Sequence, residues 1–108
     1  MGSHTTDLTD AEFATQVLQS AQPVLVDFNA THCAPCRAIA PTLEELGERY
    51  AGRLKIVKIN CDDQQQNAQT YGVRAFPTLL FFKNGKVVDQ MVGAPPKSKL
   101  EAAILKVV

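Results

Sequence analysis

VLVDFNATHCAPCRAIAP, residues 24–41, decides how this chain is read. Val24 to Phe28 is a short run of branched, aliphatic and aromatic residues bounded by turn formers, which predicts a buried parallel strand. Cys33 and Cys36 follow, three residues apart, where a helix is expected to open. In a helix, residues at that spacing share a face with Cα atoms about 5 Å apart, within the range a disulfide tolerates. The pair can therefore close or open a bridge with little backbone motion. The unpaired N–H groups and the dipole at a helix N-terminus favour negative charge, so Cys33 is expected to ionise more readily than a free thiol. It is the thiolate that attacks a disulfide.

Alternation along the strand places Val24, Val26 and Phe28 on one face and Leu25, Asp27 and Asn29 on the other. A carboxylate in such a run has two readings: a solvated group at a strand end, or a buried acid with work to do. Beyond Cys36, Ile39, Leu43, Leu46 and Tyr50 form an apolar stripe at helical spacing. Pro41 lies inside that stripe, where it removes a hydrogen bond and predicts a kink between a first turn that presents chemistry and a body that packs. Gly52 is the expected stop. Leu54 to Cys61 reads as the next strand, with Val57, Ile59 and Cys61 on one face and Leu54, Ile56 and Lys58 on the other. Cys61 is expected to be an inert, buried small hydrophobe.

Upstream, Thr9-Asp10-Ala11-Glu12 has the form of a capping box, and Phe13 and Val17, with Leu18, follow as an apolar stripe. A first helix is predicted over 10–19, ended by Gln22-Pro23. Downstream, Asp62 to Gln69 predicts a short surface helix anchored by Ala68 and Tyr71 and stopped by Gly72. Phe76-Pro77 leads into a strand over Thr78 to Phe82, and Asn84-Gly85 is a strong hairpin signal joining it to Val87 to Val92. Gly93, Pro95 and Pro96 link to a last helix carrying Leu100, Ile104 and Val108. This order of elements implies an α/β protein with a mixed sheet and helices on both faces.

The strand, the Cys-Ala-Pro-Cys motif opening a helix, Pro41 inside that helix and Phe76-Pro77-Thr78 opening a strand together resemble the thioredoxin family, from about Leu8 to the C-terminus. The resemblance implies the thioredoxin fold as a single domain over residues 1–108, a central mixed β-sheet of about five strands flanked by four helices. It adds a short first strand near residues 4–8. It implies a thiol-disulfide oxidoreductase that reduces protein disulfides, Cys33 attacking and Cys36 then displacing the substrate. Asp27 would be a buried proton acceptor for Cys36, burial raising its pKa toward neutrality, with Lys58 paired to it. The competing reading of Lys58 is a side chain that snorkels to solvent. Pro77 would be cis and face the cysteines, with the Phe76 backbone pairing with the substrate peptide. His32, Ala34, Pro35 and Gly93 would complete the substrate-contacting surface. No bound cofactor is implied; the partners would be disulfide-containing proteins and a flavin-dependent thioredoxin reductase.

The motif departs from the family's usual Trp-Cys-Gly-Pro-Cys, and from its tryptophan after the strand phenylalanine. His32, Ala34 and Asn29 stand at those places, and the chain has no tryptophan. Ala34 stiffens the turn. A protonated His32 would stabilise the Cys33 thiolate and make reactivity depend on pH between about 5 and 8. Otherwise His32 is an exposed replacement with no redox role.

Composition bounds the remaining classes. A chain of 108 residues with 45% hydrophobic and 20% charged residues suits one globular domain. Eleven basic and eleven acidic side chains cancel, which disfavours a nucleic-acid partner. No apolar run approaches the roughly 20 residues that span a bilayer, and the first residues carry no signal-peptide core, so a soluble monomer is expected. Met1-Gly2-Ser3-His4 reads as a cloning remnant. Of three cysteines only two have matched spacing, which fits a reducing compartment and a cytoplasmic location. Two other functions fit the motif: a thioredoxin-like disulfide oxidase or isomerase, and a metal-binding module using His32, Cys33 and Cys36, for which no fourth ligand is evident.

Overall fold

The computed structural model describes residues 4–108. A five-stranded mixed sheet forms in the order β1-β3-β2-β4-β5, built from β1 (Thr6–Asp7), β2 (Val24–Asn29), β3 (Lys55–Asn60), β4 (Thr78–Lys83) and β5 (Lys86–Val92). β1, β2 and β3 run parallel, and β4 is antiparallel to both β2 and β5. β1 is the short first strand that the family resemblance implied. The helices are α1 (Ala34–Arg49), α2 (Gln66–Thr70) and α3 (Lys97–Leu105), preceded by an N-terminal helical stretch. The hairpin turn is the one predicted: Asn84 and Gly85 both have positive φ, 53° and 78°, as a tight primed turn requires.

The period-two pattern of the strands sorts the core into two layers. Leu25, Ile56, Leu79 and Phe81 meet Ile39, Leu43, Leu46 and Tyr50 of the α1 stripe and Leu100, Ala103 and Ile104 of α3. On the other face Val24, Val26, Phe28, Val57, Ile59, Leu80 and Phe82 meet Phe13, Val17 and Ala68. Phe13, Tyr71 and Phe82 make mutual ring contacts at centroid distances of 5.3–5.8 Å. Cys61 lies in this second layer as a free, buried thiol. Burial pushes it up to about 11, with the carboxylates of Asp10, Asp27 and Asp62 adding to the effect, so it behaves as a small hydrophobe.

Two expectations are corrected. The stretch predicted as one regular helix over 10–19 is a 3-10 turn, Asp10–Glu12, followed by a π-helical segment, Ala14–Leu18. The capping box is present, with Glu12 Oε1 accepting the Thr9 N–H at 2.9 Å. The pitch then changes because Glu12 N–H bonds back three residues to Thr9 and Gln19 N–H bonds back five to Ala14. Phe13 and Val17 are buried as expected, but Leu18 is exposed. In α3 the helix ends at Leu105, so the four-residue repeat lapses: Val107 packs into the core and Val108 faces out. Residues Met1 to Ser3 of the supposed remnant lie outside the described residues. His4 packs on α1, its backbone N–H donating to Glu44 Oε1 at 2.6 Å. Gly47 admits this approach, since a Cβ there would stand 2.4 Å from the His4 carbonyl oxygen.

Candidate active site

Register gathers the site at one end of the sheet. Phe28 of β2 pairs with Thr78 of β4, and Thr78 with Val92 of β5. The loop that leaves β2 toward Cys33, the Pro77 that opens β4 and the Gly93 that ends β5 therefore share that end. The Phe76–Pro77 peptide bond is cis, and the Gly93 N–H donates to the Pro77 carbonyl at 2.8 Å. Pro77 is buried, whereas Phe76 is 36% exposed.

Cys33 is the N-cap of α1 and is joined to Cys36 by a disulfide with Cα atoms 5.2 Å apart. Cys33 Sγ accepts the Cys36 N–H at 3.2 Å. Both sulfur-bearing residues are under 9% exposed. Pro35 occupies the first turn, where its missing N–H leaves no bond unmade. α1 continues through Pro41 to Arg49, so the proline does not end it.

Asp27 lies beneath the motif, 1% exposed, opposite Lys58 in the β2–β3 register. Asp27, Asn29, Ala30, Cys36, Arg37, Ala40 and Lys58 line one cleft of about 140 Å³. Burial pushes the Asp27 carboxyl up to about 6; the Lys58 ammonium and then the Asn29 amide pull the other way. Its Oδ1 has no hydrogen-bond partner. Among the described residues no ion pair within 4.0 Å joins Lys58 to Asp27. The expected pairing acts through the field across the cleft, not as a direct salt bridge. Lys58 is half-buried, between the two readings offered for it.

His32 and Ala34 are exposed at the rim. The residue that sequence reasoning passed over is Thr31, which is held from three sides. Asp62 Oδ2 accepts its N–H at 2.9 Å, Asn60 Nδ2 donates to its hydroxyl at 3.1 Å and Arg37 Nη1 donates to its carbonyl at 3.3 Å. Hydrogen bonding from the Thr31 side chain, then from its backbone N–H, and last the nearby His32 hold the Asp62 carboxyl below its ordinary value against the effect of burial. No local sequence signal marks such a clamp, because Asn60 and Asp62 stand about thirty positions from Thr31. His32, Cys33 and Cys36 do not assemble a metal site: no group of three or more His, Cys, Asp or Glu suited to a metal occurs among the described residues.

A disulfide-forming cysteine pair at a helix N-terminus, with a buried carboxylate in the same cleft and a cis-proline at the same end of the sheet, defines a protein of thiol-disulfide exchange. Comparison with known proteins agrees. The profile of the thioredoxin family matches residues 4–106. Thioredoxin C-2 of Corynebacterium nephridii is 51% identical over 104 residues, 96% of each chain. Thioredoxin 1 of Nostoc sp. is 48% identical over 99 residues, 92% of each chain. Thioredoxin of Pseudomonas aeruginosa is 47% identical over 102 residues, 94% of each chain. The chain belongs to the thioredoxin family and is a thiol-disulfide oxidoreductase, a protein-disulfide reductase.

Proposed function

We propose that Cys33 is the attacking sulfur and Cys36 the resolving one. In the reduced protein the Cys33 thiolate attacks one sulfur of a substrate disulfide. That bond breaks, a substrate thiolate leaves, and Cys33 is left in a mixed disulfide. Asp27 takes the proton from Cys36, whose thiolate attacks Cys33 Sγ and expels the second substrate thiolate. Two electrons have passed to the substrate and the Cys33–Cys36 bridge has formed. A carboxyl poised at about 6 suits a proton acceptor working near neutrality, and Lys58 tunes it across the cleft. The observation that carries this assignment is the hydrogen bond from Cys36 N–H to Cys33 Sγ at the N-cap, since a donor aimed at sulfur favours its anion.

Substrate peptides dock on the rim formed by His32, Ala34, Pro35, Phe76, Pro77 and Gly93, the Phe76 backbone pairing with them. No described helix is long and apolar enough to cross a membrane. The protein works as a monomeric single domain in the cytoplasm, maintaining thiol balance, and a thioredoxin reductase returns its electrons. Trapping tests the order of attack. Cys36→Ser is expected to accumulate a mixed disulfide with an insulin-type substrate, and Cys33→Ser to form none and lose turnover altogether. A mixed disulfide carried by Cys36 in the Cys33→Ser variant, at wild-type rate, would reverse the assignment.

A further inference from the structure

Asn29 is the next residue after Asp27 on the same face of β2, two positions on, so their side chains project side by side into one cleft. Its backbone is fixed: the Asn29 carbonyl accepts the Cys61 N–H at 2.8 Å, and Asn29 pairs with Asn60 in β3. Its carboxamide is close enough to Asp27 to draw the carboxyl's pKa down, yet Asp27 Oδ1 is buried without a donor. A buried acceptor oxygen with no partner favours capture by the neighbouring amide donor, because leaving such an oxygen bare costs more than one ordinary hydrogen bond returns.

Resting on the assignment of Asp27 as proton acceptor, we propose that Asn29 is a positioning residue, its amide donating to Asp27 Oδ1 so that the carboxylate stays ionised and oriented toward Cys36 during resolution. The other groups around Asp27 do not replace it. Lys58 from β3 acts at a distance, Arg37 from α1 spends Nη1 on the Thr31 carbonyl, and β4 presents Leu79 opposite Asp27. Cys61, coupled to Asp27 electrostatically, belongs to the opposite layer and stays a thiol. Burial alone would keep Asp27 protonated to higher pH, and the Asn29 amide opposes it. The consequence is confined to the second step, since the cleft that Asn29 shares with Asp27 is lined by Cys36 and not by Cys33.

The test follows the Asp27 carboxyl carbon and the Asn29 side-chain amide by NMR against pH in the reduced protein, together with single-turnover release of substrate from the mixed disulfide. The amide resonances should move with the same midpoint as Asp27. Asn29→Leu, close in shape but without a donor, should raise that midpoint and slow release severalfold near pH 6, while iodoacetamide alkylation of Cys33 keeps its rate. An Asn29 amide blind to the Asp27 titration, or an unmoved midpoint in Asn29→Leu, overturns the role of Asn29. Release unaffected in Asp27→Asn overturns instead the assignment of Asp27 as proton acceptor, so the two failures are told apart.

Discussion

On one face of β2, Val24, Val26 and Phe28 are each at most 1% exposed and sit in a wholly hydrophobic cluster. On the other, Leu25 packs against α1 and α3, but two residues later Asp27 is equally buried with an unpartnered oxygen, and Asn29 follows. The same backbone thus carries two energetic regimes. The first face contributes stability; the second gives up stability, increasingly toward the end where the chain leaves the sheet for Cys33. Burying a polar group without a full set of partners is unfavourable, and perturbed groups of this kind concentrate where chemistry is done.

Truncating the apolar face should have the largest effect. Phe28→Ala removes a fully buried ring and is expected to cost about 3–5 kcal/mol, read as a lower urea midpoint with an unchanged slope. A loss under about 1 kcal/mol would place the ring outside the core and erase the contrast.

The polar face should respond with the opposite sign. The folded chain retains a proton on Asp27 that the unfolded chain releases between 3.8 and about 6, so stability falls as pH rises through that window, and the penalty is complete above it. Asp27→Asn should therefore stabilise the protein at pH 7 by something on the order of 3 kcal/mol, and the gain should vanish below about pH 4 while resolution of the mixed disulfide slows. Equal stability of the two proteins at pH 7 and pH 4 would show that the burial carries no penalty.

The smallest effect belongs to the loop beyond β2. Thr31→Val removes the hydroxyl that Asn60 reaches and that helps hold the Asp62 carboxylate, but keeps the backbone bonds to Asp62 and Arg37, so it should cost only about 1 kcal/mol. If the clamp matters for Cys33, the variant should also shift the pH dependence of Cys33 alkylation; Asn60→Ala should add nothing to it in a double-mutant cycle. Fully additive effects would reduce the clamp to two unrelated surface contacts.

Periodicity made the framework legible. The faces of β2 and β3 and the α1 stripe could be read because alternation and helical spacing are properties of local chain geometry. Asn84-Gly85 named its turn because few residues adopt positive φ without cost. The cysteine pair was legible for the same kind of reason, its spacing being fixed by a single helical turn. Where packing overrode local preference, reading failed. The mixed pitch between Asp10 and Leu18 and the exchange of Val107 for Val108 were settled by what each side chain met across the core.

From sequence alone came the order of elements, the redox pair at a helix start and a suspicious acid in an apolar strand; all are short-range facts, because backbone sterics and side-chain period act over a few residues. Tertiary structure alone decided that Asp27 lies across from Lys58 without touching it, that Asn29 shares its cleft, and that Asn60, Asp62 and Arg37 converge on Thr31. Those relations depend on strand register and on the distance between separate elements. Charge interactions and hydrogen bonds at such distances change with a few ångströms of placement, and only the folded chain supplies it.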